Sequence, residues 1–134
     1  MKAQSSVEFM VAVAMLIFVI IALQLYIFMK ANEAASTNLA VRGREVCDSI
    51  GSQLSLAGYS RGYSGELRVP RDVAGTPVNL TVHRDYVALD YVYHSCIRDY
   101  RAEVRFNGTS PPFTLPAGEY WVNNTDGVVY LRAK

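Results

Sequence analysis

Residues 1–30 read MKAQSSVEFMVAVAMLIFVIIALQLYIFMK, and their pattern decides the fold. Fifteen apolar residues run without a break over 9–23, and Gln24 is the one polar interruption before Lys30. A run of about 20 apolar residues, rising roughly 1.5 Å each as a helix, crosses the hydrocarbon of a bilayer. One carboxylate, Glu8, stands at the start of the run, and Lys2 is the only basic residue near it in sequence. An acid beside a membrane helix is costly unless something pairs with it, which makes Glu8 a candidate functional residue, the other reading being a carboxylate at headgroup level that faces water.

A secretory signal that is cut away has 7–15 apolar residues followed by a small-residue cleavage site. Here the run is longer, and Lys30-Ala-Asn-Glu-Ala-Ala-Ser36 continues into helix-forming sequence. The apolar segment therefore reads as retained. A plain single-span anchor explains 9–29 but leaves Glu8, and the Gln-Ser-Ser before it, without a role. Lys2 precedes the span, and Lys30 and Glu33 follow it. Counts this small do not set orientation.

Beyond the span the pattern changes. Leu39, Gly43, Val46, Ile50, Leu54 and Ala57 recur at three- and four-residue steps, one face of an amphipathic helix. Arg42, Arg44, Glu45, Asp48, Ser52 and Gln53 fall largely on other faces. Gly58 is a typical helix-terminating residue. One helix of roughly fifty residues, on the order of 80 Å, is expected over 5–57, with Gly43 as the place for a bend. The stripe is too short for the sustained heptads of a coiled coil.

Glycine and proline are absent before Gly43 and frequent after Gly58, so a turn-rich head follows the helix. Strands are expected at 66–69, 78–82, 86–93, 102–106, 119–122 and 128–131. Val78, Leu80 and Val82 should point inward together, because strand side chains alternate. Asn123-Asn-Thr-Asp-Gly127 reads as the loop of a hairpin. The expected fold is α+β. A long N-terminal helix, apolar in its first half, packs by its C-terminal half on a small antiparallel β head arranged as a meander or small sandwich. Such a head has a small core, so help from the helix is expected.

Cys47 lies beside Val46 on the helical stripe, and Cys96 follows the strand over 86–93. An even cysteine count in an extracytoplasmic domain suggests a disulfide, worth roughly 4 kcal/mol for a loop of this length in the chain-entropy model. Two buried free thiols packing as small hydrophobes is the other reading. No ligand spacing supports a metal site built from Cys47, His83, His94 and Cys96. Asp85, Asp90, Asp99, His83 and His94 lie close in sequence, but no nucleophile elbow, metal motif or phosphate loop accompanies them. Neither catalysis nor a cofactor is expected. The net charge of +1 gives no argument for nucleic acid.

Asn79-Leu-Thr81, Asn107-Gly-Thr109 and Asn123-Asn-Thr125 are N-x-[ST] sequons. Six asparagines in a chain with about one Ser or Thr in eight predict fewer than one by chance. Asn107 and Asn123 sit in expected turns and are the better acceptors, while Asn79 lies in a strand and must point to solvent. Eight of the nine tyrosines and Trp121 fall in the head. Most are expected to form its core and cross-strand pairs, and exposed ones suit adhesion.

The opening Lys2-Ala3-Gln4-Ser5-Ser6-Val7-Glu8-Phe9 resembles the start of archaeal type IV pilin-like proteins with a class III signal peptide, whose pattern is Q-x-S-x-E-x-x-x-L. Gln4, Ser6 and Glu8 match it, and Ala12 stands where the pattern has leucine. The resemblance covers about thirty residues, and the head is compatible with the family without identifying it. It implies a leader at 1–3, cut between Ala3 and Gln4 by a prepilin peptidase. It further implies a membrane and filament-core helix at 4–30, an amphipathic continuation at 31–58 and a β head at 59–134. The cut creates an α-amino group of pKa roughly 8, cationic at neutral pH and four residues from Glu8. That amine, of the same or a neighbouring copy, would pair with Glu8, and removing one partner of a buried pair costs about 3–5 kcal/mol.

The implied partners are the membrane before assembly, the peptidase, a pilus-assembly membrane protein, and then copies of itself or other pilins in a helical surface filament. The resemblance also makes N-glycosylation of the head expected. A membrane-anchored surface domain that binds or assists without polymerising is the competing reading, and the nature of the mature N-terminus separates the two.

Overall fold

The computed structural model describes residues 2–92 and 94–134, with side chains described from residue 6 onward outside Tyr93. The element order is α1 (Lys2–Tyr59), β1 (Ser64–Val69), β2 (Asp72–Val73), β3 (Thr76–Val82), β4 (Tyr86–Tyr91), β5 (His94–Asp99), β6 (Glu103–Phe106), β7 (Phe113–Leu115), β8 (Gly118–Thr125) and β9 (Val128–Ala133). This is the α+β architecture expected, a long N-terminal helix with antiparallel sheets packed on it. Two compact units divide the chain between Thr37 and Asn38, so the last part of α1 belongs with the strands.

The strands form two sheets. One has the order β1-β8-β9-β6, and the other β2-β3-β4-β5, with β7 also paired to β3. Antiparallel pairing dominates, as expected. The exception is β6 with β9, which run parallel with Val104 opposite Val129. Parallel partners are joined by long connections and leave no hairpin signal in the sequence.

One core serves both sheets and the helix. Cys47, Ile50, Leu54 and Ala57 of α1 are buried together with Leu67 and Val69 of β1, Leu80 and Val82 of β3, Val87 and Leu89 of β4, and Val129 and Leu131 of β9. The inward trio Val78, Leu80 and Val82 lies as alternation requires, Val78 partly covered and the other two fully buried. Phe106 joins the sheets, its ring centroid 5.6 Å from Phe113 on β7 and 5.8 Å from Tyr120 on β8.

Gly43 has a packing role that the sequence reading did not include. α1 runs through it without interruption. A Cβ there would collide with the ring of Tyr91, and one at Gly51 with the side chain of Arg98. Between them lies Cys47. Gly43, Cys47 and Gly51 recur every four residues, about 6 Å along the helix. The facing strand positions Cys96 and Arg98 are about 7 Å apart. These small residues let the sheet come close to the helix.

Several strand boundaries also depart from expectation, and the short strands β2 and β7 were not expected. The strand expected over 86–93 ends at Tyr91, and Tyr93 lies outside the described residues. A separate strand, β5, then covers His94–Asp99 and pairs with β4. The loop expected at 123–127 is strand as far as Thr125, and Asp126 and Gly127, both at positive φ, make a two-residue turn.

The reason the strand runs on is Asn124. Its side chain is 3 % exposed, and its amide nitrogen donates to the carbonyls of Ala57 at 2.6 Å and Gly58 at 3.3 Å. Its oxygen accepts from Gly127 N at 3.0 Å. The last carbonyls of a helix have no partner within the helix, and Asn124 supplies one while pinning the hairpin turn.

Candidate functional site

The apolar stretch is a helix, and its large side chains are exposed: Phe9 at 69 %, Phe18 at 74 % and Phe28 at 66 % of their full surface. An isolated exposed apolar residue is ordinary, but an unbroken sleeve of them in water is not. By length and composition this is the one membrane-spanning candidate among the described helices. Glu8 is exposed at its start. Ala3 and Gln4, the pair expected to flank a cleavage, fall on backbone assigned to α1, and their side chains lie outside the described residues. Just past the span, Lys30 and Glu33 make an exposed ion pair of 2.7 Å across one turn.

Cys47 and Cys96 are brought together by the contact between α1 and β5, and both are free thiols in this structure. Cys47 is fully buried and Cys96 partly so. Burial, then the hydrogen bond to the Cys96 thiol, pushes the Cys47 thiol up to about 12. Beside them Arg98 and Asp48 approach to 3.6 Å across the same contact, half exposed.

The histidines are not brought together. His83 hydrogen-bonds through its backbone to Tyr86, at one end of β4, and stacks on that ring at 4.4 Å. His94 pairs with Tyr91, at the other end of β4. Asp85 and Asp99 do share a wall of an open groove with Arg84, Arg101 and Glu103. Asp90 faces solvent on the outer side of β4. Tyr100 also lines that groove, donating its hydroxyl to the His83 carbonyl. Burial first, and then the Asp85 charge, raises its phenol to about 12.

All three sequon asparagines are exposed. Asn79 sits on β3 opposite Asp90, pointing outward as required. Asn107 forms a tight turn with Gly108, both at positive φ, closed by paired hydrogen bonds between Phe106 and Thr109. Asn123, expected in a loop, instead lies within β8 between Ser64 and Tyr130. Alternation along β8 turns Trp121, Asn123 and Thr125 outward together, and with Tyr130 and Arg132 they line a shallow hollow of about 260 Å³. The signal for that face was the alternation itself, hidden by reading 123–127 as a loop. Comparison with protein-family models, with curated proteins and with solved structures gave no match.

Proposed function

We propose that this chain is a structural subunit of a type IV pilus-like surface filament. A prepilin peptidase removes residues 1–3, the helix over 4–30 leaves the bilayer for a filament core, and the heads coat the outside. The observation that carries this reading is the exposed apolar half of α1, entered through Gln4-Ser-Ser-Val-Glu8. Lipid and the flank of another such helix are equally apolar, so close packing and the pairing of Glu8 with the new α-amino group must supply the preference for assembly. The head then works outside the cell, where the Cys47–Cys96 pair oxidises to a bridge that ties α1 to β5, and the sequons receive glycans. Surface or cell adhesion follows from the exposed head, and the role is structural rather than catalytic.

The test is recovery of filaments sheared from cells that carry Glu8→Ala. The expected result is a loss of filament with the protein retained in the membrane, and a normal yield would overturn the reading. A membrane-anchored, non-polymerising domain predicts instead that the chain is missing from the sheared fraction of wild-type cells as well.

A further inference from the structure

The outer face of β8 and β9 holds a feature that assembly does not use. Trp121, Asn123 and Thr125 project from one side of one strand, so the sequon asparagine has an aromatic ring two residues before it and its threonine two residues after, all on a single surface. Directly across the ladder from Asn123 lies Tyr130 on β9, and across from Trp121 lies Arg132. On the other flank Asn123 faces Ser64, a small neighbour that leaves room above the strand. Trp121 is 43 % exposed although it sits in mid-sheet. The Lys134 ammonium lies 5.1 Å from its ring centroid, held by Glu66 at 3.1 Å and Glu119 at 3.5 Å. Glu66 is the partner of Trp121 across the ladder on β1, and Glu119 comes two residues before Trp121 on β8, so carboxylates of these two strands hold the cation at the ring, while Tyr130 and Arg132 lie on the β9 flank.

We infer that Asn123 carries an N-linked saccharide whose first pyranose lies in this hollow, against Trp121 and Tyr130, with Arg132 and Thr125 as polar partners. The inference rests on the proposed extracytoplasmic placement of the head. The donor is a saccharide on a polyprenyl phosphate or pyrophosphate, handled by a membrane oligosaccharyltransferase. The Asn123 amide nitrogen attacks the anomeric carbon, and an N–C1 bond forms. The C1–O bond to the lipid phosphate breaks, the phosphate leaves with the electron pair, and the amide proton passes to a base of the transferase.

The C–H face of a pyranose and the face of an aromatic ring both shed water on contact, while the hydroxyls around the sugar's rim meet polar groups. Sites of this kind pair an apolar floor with a few placed polar side chains. The other two sequons lack the floor. Pro77 precedes Asn79 by two residues and Arg105 precedes Asn107 by two, so no aromatic side chain stands in the equivalent place.

The experiment uses the full chain from native membranes. Site occupancy is read by glycopeptide mass spectrometry, and thermal unfolding is compared between the wild type and Asn123→Gln. Expected are an occupied Asn123 and a melting temperature a few degrees lower in Asn123→Gln. Asn79→Gln and Asn107→Gln should produce no such drop. In a Trp121→Ala background the effect of Asn123→Gln should vanish, and Trp121→Tyr should restore it. Trp121 is the only tryptophan, so its fluorescence gives a second reading without altering the ring. The glycosylated chain should emit at shorter wavelength and resist acrylamide quenching more than Asn123→Gln. A bare Asn123 in a chain that carries sugar at Asn107 overturns this inference alone, as does identical Trp121 emission with and without the glycan. Bare asparagines at all three sequons overturn it together with the extracytoplasmic reading.

Discussion

The two halves of α1 share a secondary structure and differ in everything that covers it. Over 9–29 the helix is apolar on every side but for Gln24, and its large side chains are bare. Over 38–59 one stripe is apolar, and Cys47, Ile50, Leu54 and Ala57 are buried in the core of the head. A helix that is apolar all round needs surroundings its own chain does not provide, whereas one with a single stripe needs only one neighbouring surface. The first half is thus long and apolar enough to cross a membrane, and the second is a structural member of a folded domain.

Substitution of matched leucines breaks the comparison most sharply. Leu54→Ala should cost the head about 2–5 kcal/mol, the range for emptying a buried leucine site. Leu16→Ala, at a site 61 % exposed, should leave thermal unfolding of the head unchanged. Tyrosine circular dichroism in detergent reads both. Equal effects would mean that the halves are not energetically distinct.

Next in size is the cap that joins helix to hairpin. Asn124→Leu leaves the Ala57 and Gly58 carbonyls without their partner and should cost roughly 1–3 kcal/mol by the same measurement. Gly43→Ala tests sign rather than size. Helix propensity alone predicts a gain of about 1 kcal/mol from replacing a glycine. The ring of Tyr91 occupies the space, so a loss of about 1–3 kcal/mol is expected instead. A stabilised Gly43→Ala protein would show that the helix does not sit against the sheet as described.

A last test is alkaline. The Cys47 thiol and the Tyr100 phenol are both raised to about 12 in the folded chain, from ordinary values of 9.0 and 10.0. Each therefore holds its proton more tightly folded than unfolded. Their contribution is complete below about pH 9 and fades as pH climbs toward 12, because the unfolded chain ionises first. The reduced chain should lose stability across that window. Thiol alkylation at neutral pH should mark Cys96 well before the buried Cys47.

Much of this was legible in the residues. The change from an all-round apolar helix to a striped one marks where the head begins, and the alternation in Val78, Leu80 and Val82 marks an inward strand face. β5 was not legible, because its sequence, HSCIRD, has no clean alternation of apolar and polar residues. It is a sheet-edge strand that meets the helix through Cys96 and Arg98 rather than through bulky apolar side chains. Asn124 read as loop because asparagine favours turns, yet its place is a buried cap recognisable only once the helix end is beside it. Gly43 read as a weak point for the same reason: a glycine's purpose depends on what approaches it. The β6–β9 pairing joins residues far apart in sequence and leaves no local trace. Of the surface features, the sequons were visible as motifs, but the shared face of Trp121, Asn123 and Tyr130 needed the register of β8 against β9.

The most direct test of the account is the N-terminal mass of the chain recovered in filaments sheared from native cells. The expected result is a processed filament subunit that begins at Gln4 and is found in the sheared fraction. A chain that still begins at Met1 and stays with the membrane would contradict it.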